Sequence, residues 1–474
     1  MIRVGARPSM IDDAIGEGSA PALAALVARG RYVRDAVAAF PSVTPVCAAT
    51  IATGLAPDRH GIPSMNWYHR AERRYVEYGS SFRAGLRFGL GRQLTDLIYN
   101  MNGAHLAPDA LTIFERLDDA AVRTAGTTYL IYRGRHVHQP AQDSTLARIA
   151  ARAIVRRPVM GPAELFYADI FSSRDTGCRG TLGMPGVRDQ HAGCVGDYLV
   201  RHDLFDFLLL SLPDNDNHSH RHGPDAQVWA IAQADRQLAR LFEAAGGEEE
   251  FLREHAVIVV ADHAHTLIDR AVSLGTRFAD FDIRRPTDLR ELEPTQIAIC
   301  PAQRAAMIYA FGPGGTERVV ARARRIEGVE HVLWREDGEA VAERDGEQLR
   351  FAPGDELADL RGRRWRLCGE RGVLGLHLSA AGALISEEFP DALGRAWDAL
   401  NCRQAGEVLL TAAAGAEFSD WGGAGHVGGG SHGSLSAGDS HAPLIWSGTE
   451  GELERDQWSI ADVAPLVAAH FGLG

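Results

Sequence analysis

Positive charge is in short supply in this sequence. Lysine and arginine total 49 against 62 aspartates and glutamates, a formal net charge of −13 over 474 residues. No basic patch stands out, which excludes an electrostatic nucleic-acid binder. Long apolar runs are missing as well. None approaches the ~18 residues that a membrane-spanning helix needs, so no membrane partner is expected. The opening MIRVGARPSM carries no apolar core of a secretory signal. Cysteine is sparse: Cys47, Cys178, Cys194, Cys300, Cys368 and Cys402 are scattered, with no C-x-x-C. That pattern indicates no disulfide framework and makes a reducing cytoplasm the default expectation. A Cys178–Cys194 pair is the less favoured alternative to free thiols. Neither an internal repeat nor a low-complexity tail is present.

Apolar residues are plentiful, at 45%. With 474 residues, that is enough to build the core of one large α/β domain carrying an inserted lobe, or of two to three average domains. An acidic chain that handles phosphate anions needs local compensation, and bound metal ions can supply it.

Strand-like and helix-like patterns alternate along the chain. Residues 19–28 read as a helix stopped by Gly30, with Pro21 in its first turn. TTYLIYRG (127–134), DLFDFLLLSLP (203–213) and HAVIVVADH (255–263) read as strands, the last two nearly continuous in apolar residues, as buried parallel strands are. Residues 226–247 form an amphipathic helix pattern, with Asp225 as its cap and a Gly pair at its end. The expected fold is a doubly wound, mostly parallel sheet between helices. In such folds, sites form at the carboxyl ends of strands. From 273 to 402 the chain becomes charge-rich and turn-rich, with hairpin signals at Asp337-Gly338 and Asp345-Gly346. The expected organisation is a core of residues 1–272 and 403–474, with an inserted α+β lobe at 273–402. The core resumes at GEVLLTAAAG (406–415).

Three groups of residues carry chemistry. LPDNDNHSHRHGPD (212–225) places aspartates and histidines directly after an apolar strand. Asp262-His263 closes the next strand. His432 lies in a short Gly-rich loop (422–434). Carboxylate oxygens and imidazole nitrogens are donors that zinc favours, with manganese or iron as alternatives. Any one cluster alone reads equally as a polar loop or a cap. Their joint occurrence at successive strand ends points to metal.

These residues resemble motifs of the alkaline phosphatase superfamily, and within it the nucleotide pyrophosphatase/phosphodiesterase-like branch. TPVCAATIATGLAPDRHGI (44–62) resembles its nucleophile motif. DNDNHSHRHGP (214–224) resembles Asp-x-x-x-His-x-x-Gly-Pro. VADHAHT (260–266) resembles Asp-His-Gly-Met, with Ala264 at the Gly position, and GSHGS (430–434) resembles the loop that gives the last His. The resemblance implies the alkaline phosphatase-like core, and Thr44 as covalent nucleophile. It implies two divalent ions, zinc foremost and manganese as the alternative. One would be held by Asp216, His220 and His432, the other by Asp262, His263 and the Thr44 oxygen. Asn66 would donate a hydrogen bond to a phosphate oxygen. Trp67 and Tyr68 line the leaving-group pocket or are ordinary half-buried aromatics. Asp214 and His218 share the spacing of Asp216 and His220, but only the latter pair puts Gly223-Pro224 at the family's distance.

The implied reaction is hydrolysis of phosphodiester or pyrophosphate bonds in a small molecule, through a phospho-threonine. A phosphonate hydrolase of the phosphonoacetate type and a phosphomonoesterase are the alternatives. The chemistry explains the motif: metal coordination lowers the pKa of a threonine hydroxyl, and a helix start attracts phosphate. Sulfatase relatives begin the corresponding motif with Cys, followed by Pro and Arg; Thr44, Val46 and Ala48 at those positions exclude that branch.

One departure stands out. In the family an apolar strand ending in Asp-Gly contributes an Asp to the metal beside the nucleophile. Here RVGARPSMID (3–12) matches the stretch that follows, Val4 stands at the Asp position, and no strand precedes it. Three readings result: a chain shortened relative to its natural start, a weakened enzyme, or a pseudoenzyme that keeps the fold and one metal. A lost strand would leave a core edge exposed.

Overall fold

The computed structural model describes residues 1–140, 157–167, 170–178, 188–288, 291–451 and 453–473. Short apolar runs pair into the first of two eight-stranded sheets. Its centre is parallel: Val257–Val260, Ile2–Val4, Phe207–Leu212, Thr124–Thr127 and Glu164–Tyr167 lie side by side in that order. His441–Ser447 runs antiparallel between Val257–Val260 and the edge strand Arg31–Val37. Alternation along each strand feeds two apolar layers. Leu208 and Leu210 pack with the helices Pro8–Gly16, Pro21–Arg29, Arg188–Arg201 and Gln227–Ala244. Phe207 and Leu209 face the other layer, with Thr44–Thr53, Ile113–Asp119 and Val463–His470. Helices on both faces of a mostly parallel sheet are the doubly wound arrangement that the sequence pattern predicts.

The strand thought to be missing is present. Ile2–Val4 fills the centre of the sheet, hydrogen-bonded on both sides, so no core edge is exposed there. The strand expected over 127–134 is Thr124–Thr127 instead, because Thr128 takes φ 59°, outside the strand region, and ends the ladder.

The second sheet is almost wholly antiparallel. Its order is Asp282–Ile283, Gln296–Ala302, Ala305–Ala310, Val408–Ala412, Val329–Glu336, Glu339–Arg344, Glu347–Ala358 and Arg364–Gly369. Both predicted hairpin turns form there: Asp337 and Gly338 have φ 52° and 83°, Asp345 and Gly346 φ 54° and 85°. Two consecutive positive φ values define the type I′ turn, which Asp-Gly favours. Val408–Ala412, expected in the core, lies in the middle of this second sheet, paired to Ala305–Ala310 and Val329–Glu336. Its alternating contacts with those strands outweigh its position in the chain.

The cysteine expectation is corrected as well. Cys178 and Cys194 form a disulfide, with Cα atoms 5.8 Å apart, inside the span that the bond requires. Cys178 packs against the same apolar layer as the helix Arg188–Arg201 that carries Cys194, which brings the two together. Disulfides persist in oxidising compartments and are rare in the cytosol. The cysteine pattern therefore no longer supports a cytoplasmic placement. Among the described residues no helix is long and apolar enough to cross a membrane.

Candidate metal centre

The helix Thr44–Thr53 begins with Thr44 at its first position and Pro45 at the second, where a missing N–H costs nothing. Everything from Pro45 to Thr53 is buried, while Thr44 keeps part of its surface open. Gly54, at φ 71°, closes the helix; a Cβ there would stand 2.9 Å from Pro465. The Thr44 hydroxyl caps nothing in its own helix. It lies 3.3 Å from His263 Nε2.

Strand Phe207–Leu212 feeds the helix Asp214–His222, on which Asp216 and His220 stand one turn apart. Strand Val257–Val260 ends just before Asp262-His263. The chain then forms the two-residue strand Thr266–Leu267, paired with Gly430–Ser431, which delivers His432. Asp216 Oδ1 is the meeting point. His265 Nε2 is 3.0 Å from it, His220 Nε2 3.6 Å, His432 Nε2 3.6 Å and His263 Nε2 3.9 Å. Asp214 and His218, on the far side of the same helix, turn away. Asp214 bonds to Arg188 and the Asp189 backbone, and His218 lies against His222 and Trp229.

The other ring nitrogen of each histidine decides what its Nε2 can do. His220 Nδ1 donates to the Gly430 carbonyl at 2.7 Å, and His432 Nδ1 to that of Ser42 at 2.7 Å. Those bonds put the proton on Nδ1 and leave an Nε2 lone pair aimed at Asp216. His432 Nε2 is buried and has no hydrogen-bond partner. His263 Nδ1 faces the Ala264 carbonyl at 3.2 Å, which frees its Nε2 toward Thr44.

His265 differs. Gln227 Oε1 accepts from the Arg7 backbone, so its amide nitrogen donates to His265 Nδ1 at 3.2 Å. The His265 proton then sits on Nε2 and is donated to Asp216. His265 therefore fixes the carboxylate, although it lies closer to Asp216 than any other imidazole.

Burial keeps the His220, His263 and His432 rings neutral. It lowers the His220 pKa to about 3 and pushes His263 and His432 down as well. Burial opposes ionisation of Asp216, yet the carboxyl is held well below its usual range, and the hydrogen bond donated by His265 Nε2 is the part of that stabilisation that neutral rings supply. An ionised carboxylate among neutral imidazoles with free lone pairs is a cation-binding donor set. The 3.6 Å separations of Asp216 Oδ1 from His220 Nε2 and His432 Nε2 are close to the roughly 3.4 Å between two ligands of one tetrahedral zinc at ordinary bond lengths. Donor atoms of Asp216, His263, His265 and His432 all lie within 4.8 Å of one another. The cluster of Asp216, His263, His265 and His432 could hold a metal ion, and His220 Nε2 stands 3.6 Å from Asp216 Oδ1 beside it.

The second expected set, Asp262, His263 and the Thr44 oxygen, is differently furnished. Asp262 Oδ2 faces His263 Nε2 at 3.3 Å, and the same oxygen accepts from the Arg3 guanidinium. Val4, at the position where the motif expects an Asp, packs with Ile2 and Ala6 in an apolar layer. Arg3 is the residue of that strand that faces the site.

Asn66 is buried, with its Oδ1 free of partners, and lines a cavity of about 30 Å³ together with Gln303, Asp420 and His426. His426 stacks on His220 at 4.1 Å and bonds Glu417 at 2.8 Å. Trp67 and Tyr68 have no exposed surface and sit in the core, Trp67 against His105 and Tyr68 against Tyr75 and Phe311. Sequence reasoning passed over Arg3, His265 and His426. His265 carried a signal, two residues after His263 in a segment already read as site-forming. His426 carried one too, as the other histidine of the Gly-rich loop 422–434; Arg3 carried none.

The family described as type I phosphodiesterase / nucleotide pyrophosphatase matches residues 2–349. No curated protein matches the sequence. Among solved structures, phosphonoacetate hydrolase from Sinorhizobium meliloti 1021, in complex with phosphonoformate, is similar at 18% identity and a TM-score of 0.59, over 99% of this chain and 94% of that one. Murine ectonucleotide pyrophosphatase / phosphodiesterase 5 is similar at 13% identity and a TM-score of 0.57, over 100% of this chain and 94% of that one. At these identities the likeness is one of fold.

Proposed function

The chain belongs to the type I phosphodiesterase / nucleotide pyrophosphatase family, and from that premise we propose that it hydrolyses phosphodiester or pyrophosphate bonds of a small molecule with Thr44 as nucleophile. It is a hydrolase of the alkaline phosphatase superfamily. The observation that carries the finer reading is the convergence of His220 and His432, with free Nε2 lone pairs, on the ionised Asp216, beside the part-exposed Thr44 hydroxyl.

Asp216, His220 and His432 would hold a divalent ion, zinc foremost. When bound, that ion supplies Lewis acidity and positive charge to a phosphoryl group. The rest is work of the chain itself. His263 Nε2 accepts from the Thr44 hydroxyl and aims it. The first turn of the helix Thr44–Thr53 offers backbone N–H groups and the positive end of its dipole to phosphate oxygens. His265 holds the Asp216 carboxylate in place. Thr44 Oγ1 forms a bond to phosphorus as the leaving oxygen departs, and water then cleaves the phospho-threonine in a second in-line displacement. Asn66, within a cavity wall shared with His426, is a candidate donor to the phosphoryl group. The burial of Trp67 and Tyr68 supports a packing role for both.

The likeness to phosphonoacetate hydrolase supports a phosphonate as the second substrate class to examine. Rates on bis-p-nitrophenyl phosphate, p-nitrophenyl phosphate and phosphonoacetate, measured side by side before and after chelation and zinc return, test the reading. The diester is expected to be fastest, with activity lost on chelation and restored by zinc. Hydrolysis unaffected by thorough chelation contradicts the metal assignment.

A further inference from the structure

We propose that the Arg3 guanidinium takes the place of a second divalent cation, so that this centre holds one ion per chain. The proposal rests on the reading of the site just given and specifies its cofactor content.

Arg3 lies on the central strand Ile2–Val4, between Phe207–Leu212 and Val257–Val260, whose carboxyl ends lead to Asp216 and Asp262. Alternation puts Ile2 and Val4 in the apolar layer and Arg3 on the opposite face. There its side chain is 5% exposed and donates to Asp262 Oδ2, itself 1% exposed. That oxygen also faces His263 Nε2, the atom opposite Thr44. The guanidinium thus stands where a cation bound to Asp262, His263 and Thr44 would draw its charge balance.

Two further observations narrow the choice. Gly5 is the next residue on the same face of the strand. A Cβ there would stand 3.3 Å from Asp216 Cβ and 3.6 Å from Asp262 Oδ1, so a side chain at that position would crowd Asp216. Val4 points the other way. The strand therefore supplies a fixed cation to Asp262 and no additional anion. A guanidinium does not lose its proton in a protein, and a dication drawn to Asp262 would have to leave Arg3 buried without its partner or sit beside a like charge. Beside the Arg3–Asp262 ion pair, one dication held against Asp216 leaves the pocket with a net positive charge, which suits a phosphate anion. Arg3 acts here as a positioning residue: it keeps Asp262, and through it His263, in place beside Thr44.

The experiment is a count of ions. The full-length chain is loaded with zinc, dialysed, and assayed for zinc per chain by mass spectrometry, beside an Arg3→Asp variant treated identically. The wild-type chain is expected to hold one zinc. Arg3→Asp, which puts a carboxylate on the strand face that looks at Asp262, is expected to hold two. Anomalous diffraction at the zinc edge on wild-type crystals gives a second readout that needs no variant: one peak at Asp216, His220 and His432, and none at Asp262. Two zinc ions in the wild-type chain, with hydrolysis intact, overturn this proposal and leave the reading of the site standing. A wild-type chain that binds none and hydrolyses nothing overturns both.

Discussion

At Asp216 a single carboxylate oxygen gathers four imidazoles, and the nearest of them is bound there as a donor. The Gln227 amide fixes the His265 tautomer, so His265 orients Asp216 while His220 and His432 keep their lone pairs free. Loss of a residue that orients a metal ligand typically weakens binding 10–100-fold. His265→Ala is accordingly expected to raise the zinc dissociation constant by about 10–100-fold, about 1.4–2.7 kcal/mol. Competition with a chromophoric chelator measures it. His218→Ala, on the far face of the helix, should leave the constant within about twofold, and an equal loss in both variants would contradict the assignment. Much at this scale was legible beforehand. Thr44, Asp216, His220, Asp262, His263 and His432 stood at motif spacings, and the structure brings them together. Tautomers were not legible, because they depend on Gln227, Gly430 and Ser42, which lie far away in sequence. The role of Arg3 was hidden for a related reason: motif spacing pointed to Val4, and only strand alternation shows which neighbour faces the site.

Elements from both sheets hold the loop of His432. Arg304 leads into strand Ala305–Ala310 of the second sheet, and its guanidinium donates to Asp439 Oδ1 at 2.6 Å, with side-chain exposures of 2% and 0%. Asp439 accepts in turn from the Ser434 backbone at 2.8 Å and from the Thr266 hydroxyl at 2.6 Å. The Arg304 backbone N–H donates to the His432 carbonyl at 2.9 Å. One buried ion pair thus ties the second sheet to both segments that flank the candidate metal ligands. Removing one partner of such a pair costs about 3–5 kcal/mol. Asp439→Asn is expected to lose about that much in urea unfolding at neutral pH and to weaken zinc binding as well. A variant as stable as wild type would show that the clamp is not structural. At this scale the hairpins were readable from Asp-Gly turns, since the turn needs only its own residues. Val408–Ala412 was not, because a strand's sheet is chosen by partners distant in the chain.

Across the whole molecule, buried neutral histidines away from the centre cost stability as the pH falls, while burial that raises the carboxyls of Asp189, Glu330 and Asp398 to about 7 works in the opposite direction. Burial lowers the pKa of His60 from 6.5 to about 3 and that of His331 from 6.5 to about 4. Each accepts one hydrogen bond and donates another as a neutral ring. His60 accepts from the Ile62 N–H and faces the Thr50 hydroxyl; His331 faces the Thr411 hydroxyl and donates to the Val373 carbonyl. Below pH 6.5 the unfolded chain takes up protons at these sites and the folded chain does not. Their stabilisation is therefore complete above pH 6.5 and falls away as the pH drops toward 4, at about 1.4 kcal/mol per pH unit for each histidine. In unfolding recorded from pH 8 to pH 4.5, a His331→Gln variant should lose less stability on acidification than wild type, by about 1.4 kcal/mol per pH unit below 6.5. An identical pH dependence in the two proteins would contradict this. The doubly wound core was legible at the same scale, because apolar strands and amphipathic helices alternate in sequence. The disulfide was not, since its cysteines meet only once the helix Arg188–Arg201 packs on the core.

The account turns on the Thr44 oxygen doing the bond-making beside the cluster of Asp216, His220 and His432. The most direct test is kcat/KM for bis-p-nitrophenyl phosphate, measured on zinc-loaded Thr44→Ala and wild-type protein of matched zinc content. The expected result is a fall on the order of 10³-fold or more with folding unchanged. A variant that retains activity within tenfold of wild type would contradict the assignment of Thr44.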